Sequence, residues 1–251
     1  MTAQAAQPPE VDPAKKAAEL TARVAAATQA ILRTAAGLTD QQAREPSLLP
    51  GWSRGHVLTH VARNADGLRN LLVWARTGVV TPQYPDQETR TREIEAGAGR
   101  PAADLAKDVE HSAAALAAEG ALLADADWAA EVAGLHGDGH PAWYTLWRRL
   151  SEVEIHHVDL VAGYGPADWP GEFAAMRLEG VVANFSGPHC PSARLRVTDS
   201  GSEYVIGPPD TEPATTVIGP TRELLAWLIG RTAGEELATE PVGALPQPPP
   251  W

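Results

Sequence analysis

Residues 149–160 read RLSEVEIHHVDL, with Glu152 four places before His156. Residues four apart are neighbours on a helix surface, so this spacing lets one carboxylate oxygen and one imidazole nitrogen converge on a divalent cation. The same spacing also serves an ordinary surface Glu/His pair. A third donor on another helix would favour the metal reading, and the stretch HVLTH at 56–60 offers one.

Helical phase, about 100° per residue, decides which histidines can take part. On the helix that begins near Ser53, Val57, Val61, Ala65, Leu68 and Leu72 form the apolar face. His60 lies at its border with Asn64 and Leu71, and His56 turns further toward solvent. HVLTH lacks the glutamate that follows the first histidine in zinc-protease helices, so its two histidines alone are a weak motif. Farther along, Leu146, Leu150, Val153, Leu160 and Val161 define a core stripe with Glu152 and His156 together at its edge. His157 falls in the middle of that stripe and reads as a core histidine rather than a ligand. Glu154 points away, to a solvated or interhelical face. Two nitrogens and one carboxylate, from His60, Glu152 and His156, with a fourth position open, is the donor set of a catalytic zinc rather than of a closed structural one. The competing reading is a border histidine satisfied by a carbonyl or water.

The elements that must hold these groups follow from caps and periodicity. Asp12 as N-cap and Pro13 at the first helical position open a helix to about 36, before Gly37; Leu20, Val24, Ala27 and Ile31 make its stripe. Ser53 caps a second helix that stops at Gly78. A short polar helix is expected over 88–96, an alanine-rich one from Pro101 through 123, a glycine-rich loop at GLHGDGHP, and a fifth helix over 143–162. After a helix at about 171–185 the pattern changes: ARLRVTD, SEYVIG and ATTVIG alternate like short strands, and PTRELLAWLIGR reads as a helix behind them. Long helices with short connections point to an antiparallel bundle. The expected class is therefore α+β: a helical domain over 12–165, a smaller C-terminal α/β domain over 166–245, and a proline-rich tail over 246–251.

Composition limits the partners. The 251 residues carry a formal net charge of -12, which disfavours nucleic acid and anionic membranes as partners and suits a small-molecule substrate. Cys190 is the single cysteine, so no internal disulfide forms, and no His/Asp constellation near it in sequence supports a nucleophile. The chain starts without the apolar stretch of a secretory signal and has no run of transmembrane length. A cytoplasmic protein, monomer or homodimer, is expected.

Three stretches, PGWSRGHVLTHVARNADGL, YPDQETRTREIEAGAGRP and SEVEIHHVDLVAGYGPADWP, closely resemble the mycothiol-dependent maleylpyruvate isomerase family, from about residue 15 through nearly the whole chain. The resemblance implies a DinB-like antiparallel four-helix bundle carrying Zn2+ (or another divalent metal) and a sterol-carrier-like C-terminal α/β domain. It implies that the metal ligands are His60, Glu152 and His156, and that mycothiol is the thiol cofactor. It further implies a functional arginine late in the C-terminal domain, matched here by Arg231, which could instead cap a helix C-terminus.

With that cofactor, Asn64, one turn after His60, could line the thiol pocket or be an ordinary polar helix residue, and Arg149, near Glu152, could bind an anionic substrate or pair with a neighbouring acid. Asp159, one turn beyond the ligands, could hydrogen-bond a ligand histidine. Trp143 and Trp147 read as packing residues. The implied activity is cis-trans isomerisation of maleylpyruvate to fumarylpyruvate on the gentisate route. A mycothiol S-transferase and a metal-binding sensor without turnover are the alternatives.

Overall fold

The computed structural model describes residues 12–249 apart from 136, 138, 186, 188 and 189, and it divides between Ala162 and Gly163 into two compact units. The fold is α+β, helical first and sheet-containing second.

In the first unit α1 (Pro13–Ala36) begins as expected, with the Asp12 carboxylate accepting from the backbone N–H groups of Ala14 and Lys15, two of the donors a helix start leaves unpaired. A short α2 (Asp40–Arg44) leads to α3 (Arg54–Thr77), where Ser53 and His56 form a reciprocal capping box and Gly78 closes the helix at φ 70°, a left-handed conformation suited to glycine. There follow α4 (Gln87–Ala98), α5 (Ala102–Gly120) and α6 (Ala142–Asp159). A small antiparallel hairpin, β1 (Glu131–Ala133) with β2 (Gly139–Pro141), stands where a glycine-rich loop was expected; residues 136 and 138 of that loop lie outside the described residues.

The long helices α1, α3, α5 and α6 enclose the core: α3 packs on α5 and α6, and α1 on the same two. Their apolar stripes meet there, with Leu20, Ile31, Val57, Val61, Leu68, Leu72, Leu105, Leu150 and Val153 fully buried or nearly so. Helix α4 lies against α3 at unusually close range. A side chain at Gly55 would run into the Ala98 carbonyl, and one at Gly97 would run into Thr59.

Helix α6 ends at Asp159, three residues short of expectation. The chain turns at Val161, whose φ is 49°, and the last carbonyls find other donors: Leu48 N–H reaches the Asp159 carbonyl at 2.9 Å, and Arg54 donates to the carbonyls of Leu160 and Val161. Helix α5 likewise stops at Gly120 rather than 123.

The second unit holds α7 (Gly171–Asn184), β3 (Ala193–Val197), β4 (Glu203–Ile206), β5 (Thr216–Gly219), α8 (Thr221–Leu228) and β6 (Ala238–Glu240). The sheet order is β4-β3-β5-β6, with β3 and β5 parallel and the other pairs antiparallel. Strand β3 alternates buried and half-buried residues, the pattern of a strand with one face on a core. Helices α7 and α8 pack on one another and on the sheet. The tail through 249 contains no helix or strand after Glu240, in keeping with its prolines.

Candidate metal centre

His60 comes from the second turn of α3, and Glu152 and His156 from successive turns of α6. Because α3 and α6 pack side by side, the three side chains meet: His60 Nε2 is 2.9 Å from Glu152 Oε2 and 3.0 Å from His156 Nε2, and His156 Nε2 is 3.3 Å from the same Glu152 oxygen. Tetrahedral ligands at about 2.0–2.1 Å from a metal stand roughly 3.3 Å from one another. Three donor atoms converging at 2.9–3.3 Å thus fit one divalent cation with little adjustment. Among the described residues these three form the group able to hold a metal ion.

The supporting contacts suit ligation. His156 Nδ1 lies 2.8 Å from Asp159 Oδ2, and Asp159 is fully buried. A carboxylate on the far ring nitrogen fixes the tautomer and turns Nε2 toward the metal. His60 Nδ1 meets Arg90 Nη2 from α4 at 3.0 Å. The Trp52 ring stands 5.6 Å from that of His60, at the rim.

Electrostatics separate the three groups. Burial opposes ionisation of Glu152, yet hydrogen bonds from His156 and His60 hold its carboxyl well below the usual range. Burial also opposes charge on His156, but Asp159 and Glu152 override it and raise its pKa to about 9. On His60, burial and the facing His156 lower the pKa to about 4. A carboxylate, a neutral imidazole and an imidazole whose Nδ1–H is held by Asp159, leaving Nε2 to give up its proton to a metal, together make a compact site for one dication.

The other residues singled out in the sequence fall as follows. His157 points into the core, its Nε2 2.7 Å from Thr34 Oγ1 of α1. His56 serves the α3 cap and approaches Glu95. Glu154 is buried, which removes the solvated alternative. Asn64 and Arg149 are buried together: Arg149 Nη1 donates to Asn64 Oδ1 at 2.9 Å and to the Val61 carbonyl at 2.7 Å. Trp147 is a packing residue, 6% exposed, and Trp143 is half-buried. Arg231 follows α8 and donates from Nη1 to the Ile229 carbonyl at 2.6 Å, an interaction of the helix-capping kind. Cys190 is a half-buried free thiol. Sequence reasoning missed Arg90 and Trp52. Neither carries a periodic signal, since α4 is polar on nearly every face and Trp52 sits in a loop.

The N-terminal domain model of mycothiol maleylpyruvate isomerase matches residues 3–161, and the C-terminal domain model of the same family matches 168–250. The chain belongs to the mycothiol-dependent maleylpyruvate isomerase family. Two solved structures agree, that of the mycothiol-dependent maleylpyruvate isomerase and that of a histidine-to-alanine variant of it. Each is 29% identical with a TM-score of 0.87, over 94% of this chain and 97% of the other. No curated protein matches the chain. As a member of the isomerase family the chain is an enzyme, and among its described residues no helix is long and apolar enough to cross a membrane.

Proposed function

We propose that the chain is a zinc- and mycothiol-dependent cis-trans isomerase that converts maleylpyruvate to fumarylpyruvate. The observation that carries this reading is the convergence of His60, Glu152 and His156 on one point in a chain matched by the isomerase family end to end. The three side chains would hold the metal, which when bound supplies the charge that lowers the pKa of a thiol and keeps it as thiolate.

The chemistry balances without a further reactant. A thiolate adds to the cis carbon–carbon double bond, forming a carbon–sulfur bond while the π electrons move to the conjugated carbonyl oxygen as an enolate. Rotation about the new single bond follows. The enolate electrons then return, the trans double bond re-forms, and the carbon–sulfur bond breaks to release the thiolate. The chain's residues supply geometry and charge: Asp159 orients His156, the buried bond between Arg149 and Asn64 holds α6 against α3, and Arg231 is assigned to a substrate carboxylate or to the enolate oxygen. Asn64 and Arg149 are 3% exposed or less and bonded to each other, so their part at the thiol cofactor's site is to position α3 and α6 rather than to line the pocket or bind an anion.

The test is the ultraviolet spectrum of maleylpyruvate with the zinc-loaded protein and substoichiometric mycothiol. Complete conversion with the thiol recovered unchanged is the expected result. Consumption of one thiol per product, seen as a thioether by mass spectrometry, would instead identify a mycothiol S-transferase. No conversion by fully loaded protein would sink the isomerase reading.

A further inference from the structure

Arg90 occupies a position that the metal triad does not explain. Its guanidinium comes from α4, is half-buried, stands 5.7 Å from the centre of the Tyr84 ring, and reaches His60 Nδ1 at 3.0 Å. Several arginines of the same unit meet carboxylates: Arg54 meets Glu45, Arg63 meets Asp66 and Asp108, Arg76 meets Glu119, and Arg100 meets Asp108. Arg148 and Arg149 meet none among the described residues, but they bond to Gln83 and to Asn64 and the Val61 carbonyl, away from the donor cluster. Among the described residues no carboxylate lies within ion-pair distance of Arg90. The helix that carries it cannot drift, because Gly55 and Gly97 seat α4 tightly on α3. A carboxylate-free cation carried beside the donor cluster by a tightly seated helix, in a chain of net charge -12, has the charge and the place to receive an anion.

The chemistry of ligation adds a second argument. A neutral histidine bound to a metal through Nε2 carries its proton on Nδ1. Nδ1 of His60 is then a donor, and a guanidinium has only donors. With the metal in place, Arg90 must therefore turn its N–H groups to an acceptor other than His60. Planar and forked, they match a carboxylate in two-pronged fashion, and the Tyr84 ring face supports the cation as it turns.

We propose that Arg90 binds a carboxylate group of the substrate beside the metal, and that metal loading frees it for that role. The proposal rests on the isomerase reading for the identity of the substrate, a dicarboxylate. It does not rest on that reading for the anion site itself.

The experiment compares zinc-loaded wild type with Arg90→Gln and Arg90→Lys in three measurements. These are zinc affinity against a chromophoric chelator, calorimetric binding of maleate as an unreactive dicarboxylate, and steady-state kinetics with maleylpyruvate and mycothiol. Loss of a charge-assisted bond weakens binding by about 10- to 100-fold. Arg90→Gln is therefore expected to weaken maleate binding and raise KM by that factor, with kcat changed less than KM and zinc affinity unchanged or tighter. Arg90→Lys should recover part of the loss. Zinc affinity that falls in step with activity would overturn the proposal in favour of a structural role, as would unchanged maleate binding. If wild type fails to convert maleylpyruvate while maleate binding still depends on Arg90, the isomerase reading fails and the anion site stands.

Discussion

Replacing Asn64 by alanine tests how the bundle holds its donors in register. Arg149 is fully buried and has no carboxylate within ion-pair distance among the described residues. Its Nη1 bonds bridge from α6 to Asn64 and to the Val61 carbonyl of α3, and its Nε and Nη2 have no hydrogen-bond partner. Burial lowers its pKa to about 10, so it remains charged at neutral pH. A hydrogen bond to a buried charged group contributes about 1.5–3 kcal/mol. Since the Val61 carbonyl still takes part of the load, Asn64→Ala should cost about 2 kcal/mol. At roughly 2–4 °C per kcal/mol for a unit of this size, Tm should fall by about 4–8 °C. In an Arg149→Met background the cation is gone, and the same Asn64→Ala change should cost about 1–2 kcal/mol less, a coupling expected of groups in direct contact. Urea unfolding followed by circular dichroism, with chelator present so that metal does not shift the midpoints, gives all four corners of the cycle. Additivity within about 0.5 kcal/mol would refute the claim that this buried pair ties α6 to α3.

Further predictions concern the ligands and their neighbours. His156→Ala should abolish stoichiometric metal binding, whereas His157→Ala should keep it and lose about 1–3 kcal/mol of stability with the Thr34 bond; equal metal loss in both, by elemental analysis, contradicts the division. Asp159→Asn should weaken metal binding by about 10- to 100-fold, read from chelator competition; an unchanged affinity means that the bond to His156 Nδ1 does nothing for the metal. Burial, then the facing Arg148, lowers the pKa of His140. A histidine lowered in the folded state contributes stability that is full above its unfolded pKa of about 6.5 and is lost as pH falls toward the folded value. The stability advantage of wild type over His140→Gln should therefore shrink from pH 7.5 to pH 5, and a constant difference in unfolding midpoint would contradict it.

Much of the helical unit is legible from local chemistry. Asp12 with Pro13, Ser53, Gly37 and Gly78 set the limits of α1 and α3 because caps act on the first and last turns alone. Helical phase separates His156 from His157 because the core stripe of α6 is clear. The ends of α5 and α6 are less legible. The end of α6 depends on Arg54 and Leu48, some hundred residues earlier, which take its last carbonyls. Elements of three to five residues, such as α2, the β1–β2 hairpin and β6, are too short to show a period. Within the site, Asp159 is readable as a residue one turn on, but Arg90 is not. Its contact with His60 exists because two glycines, Gly55 and Gly97, bring α4 close to α3, and neither glycine announces that role in sequence.

The central claim is that His60, Glu152 and His156 hold a metal whose fourth position accepts a thiol. X-ray absorption at the zinc edge, on the loaded protein before and after addition of mycothiol, tests it most directly. The account predicts a nitrogen and oxygen shell at about 2.0–2.1 Å that gains a single sulfur at about 2.3 Å when the thiol is added, with the histidine signal halved in His156→Ala protein that retains any zinc. A shell unchanged by the thiol, or one lacking histidine from the outset, would contradict it.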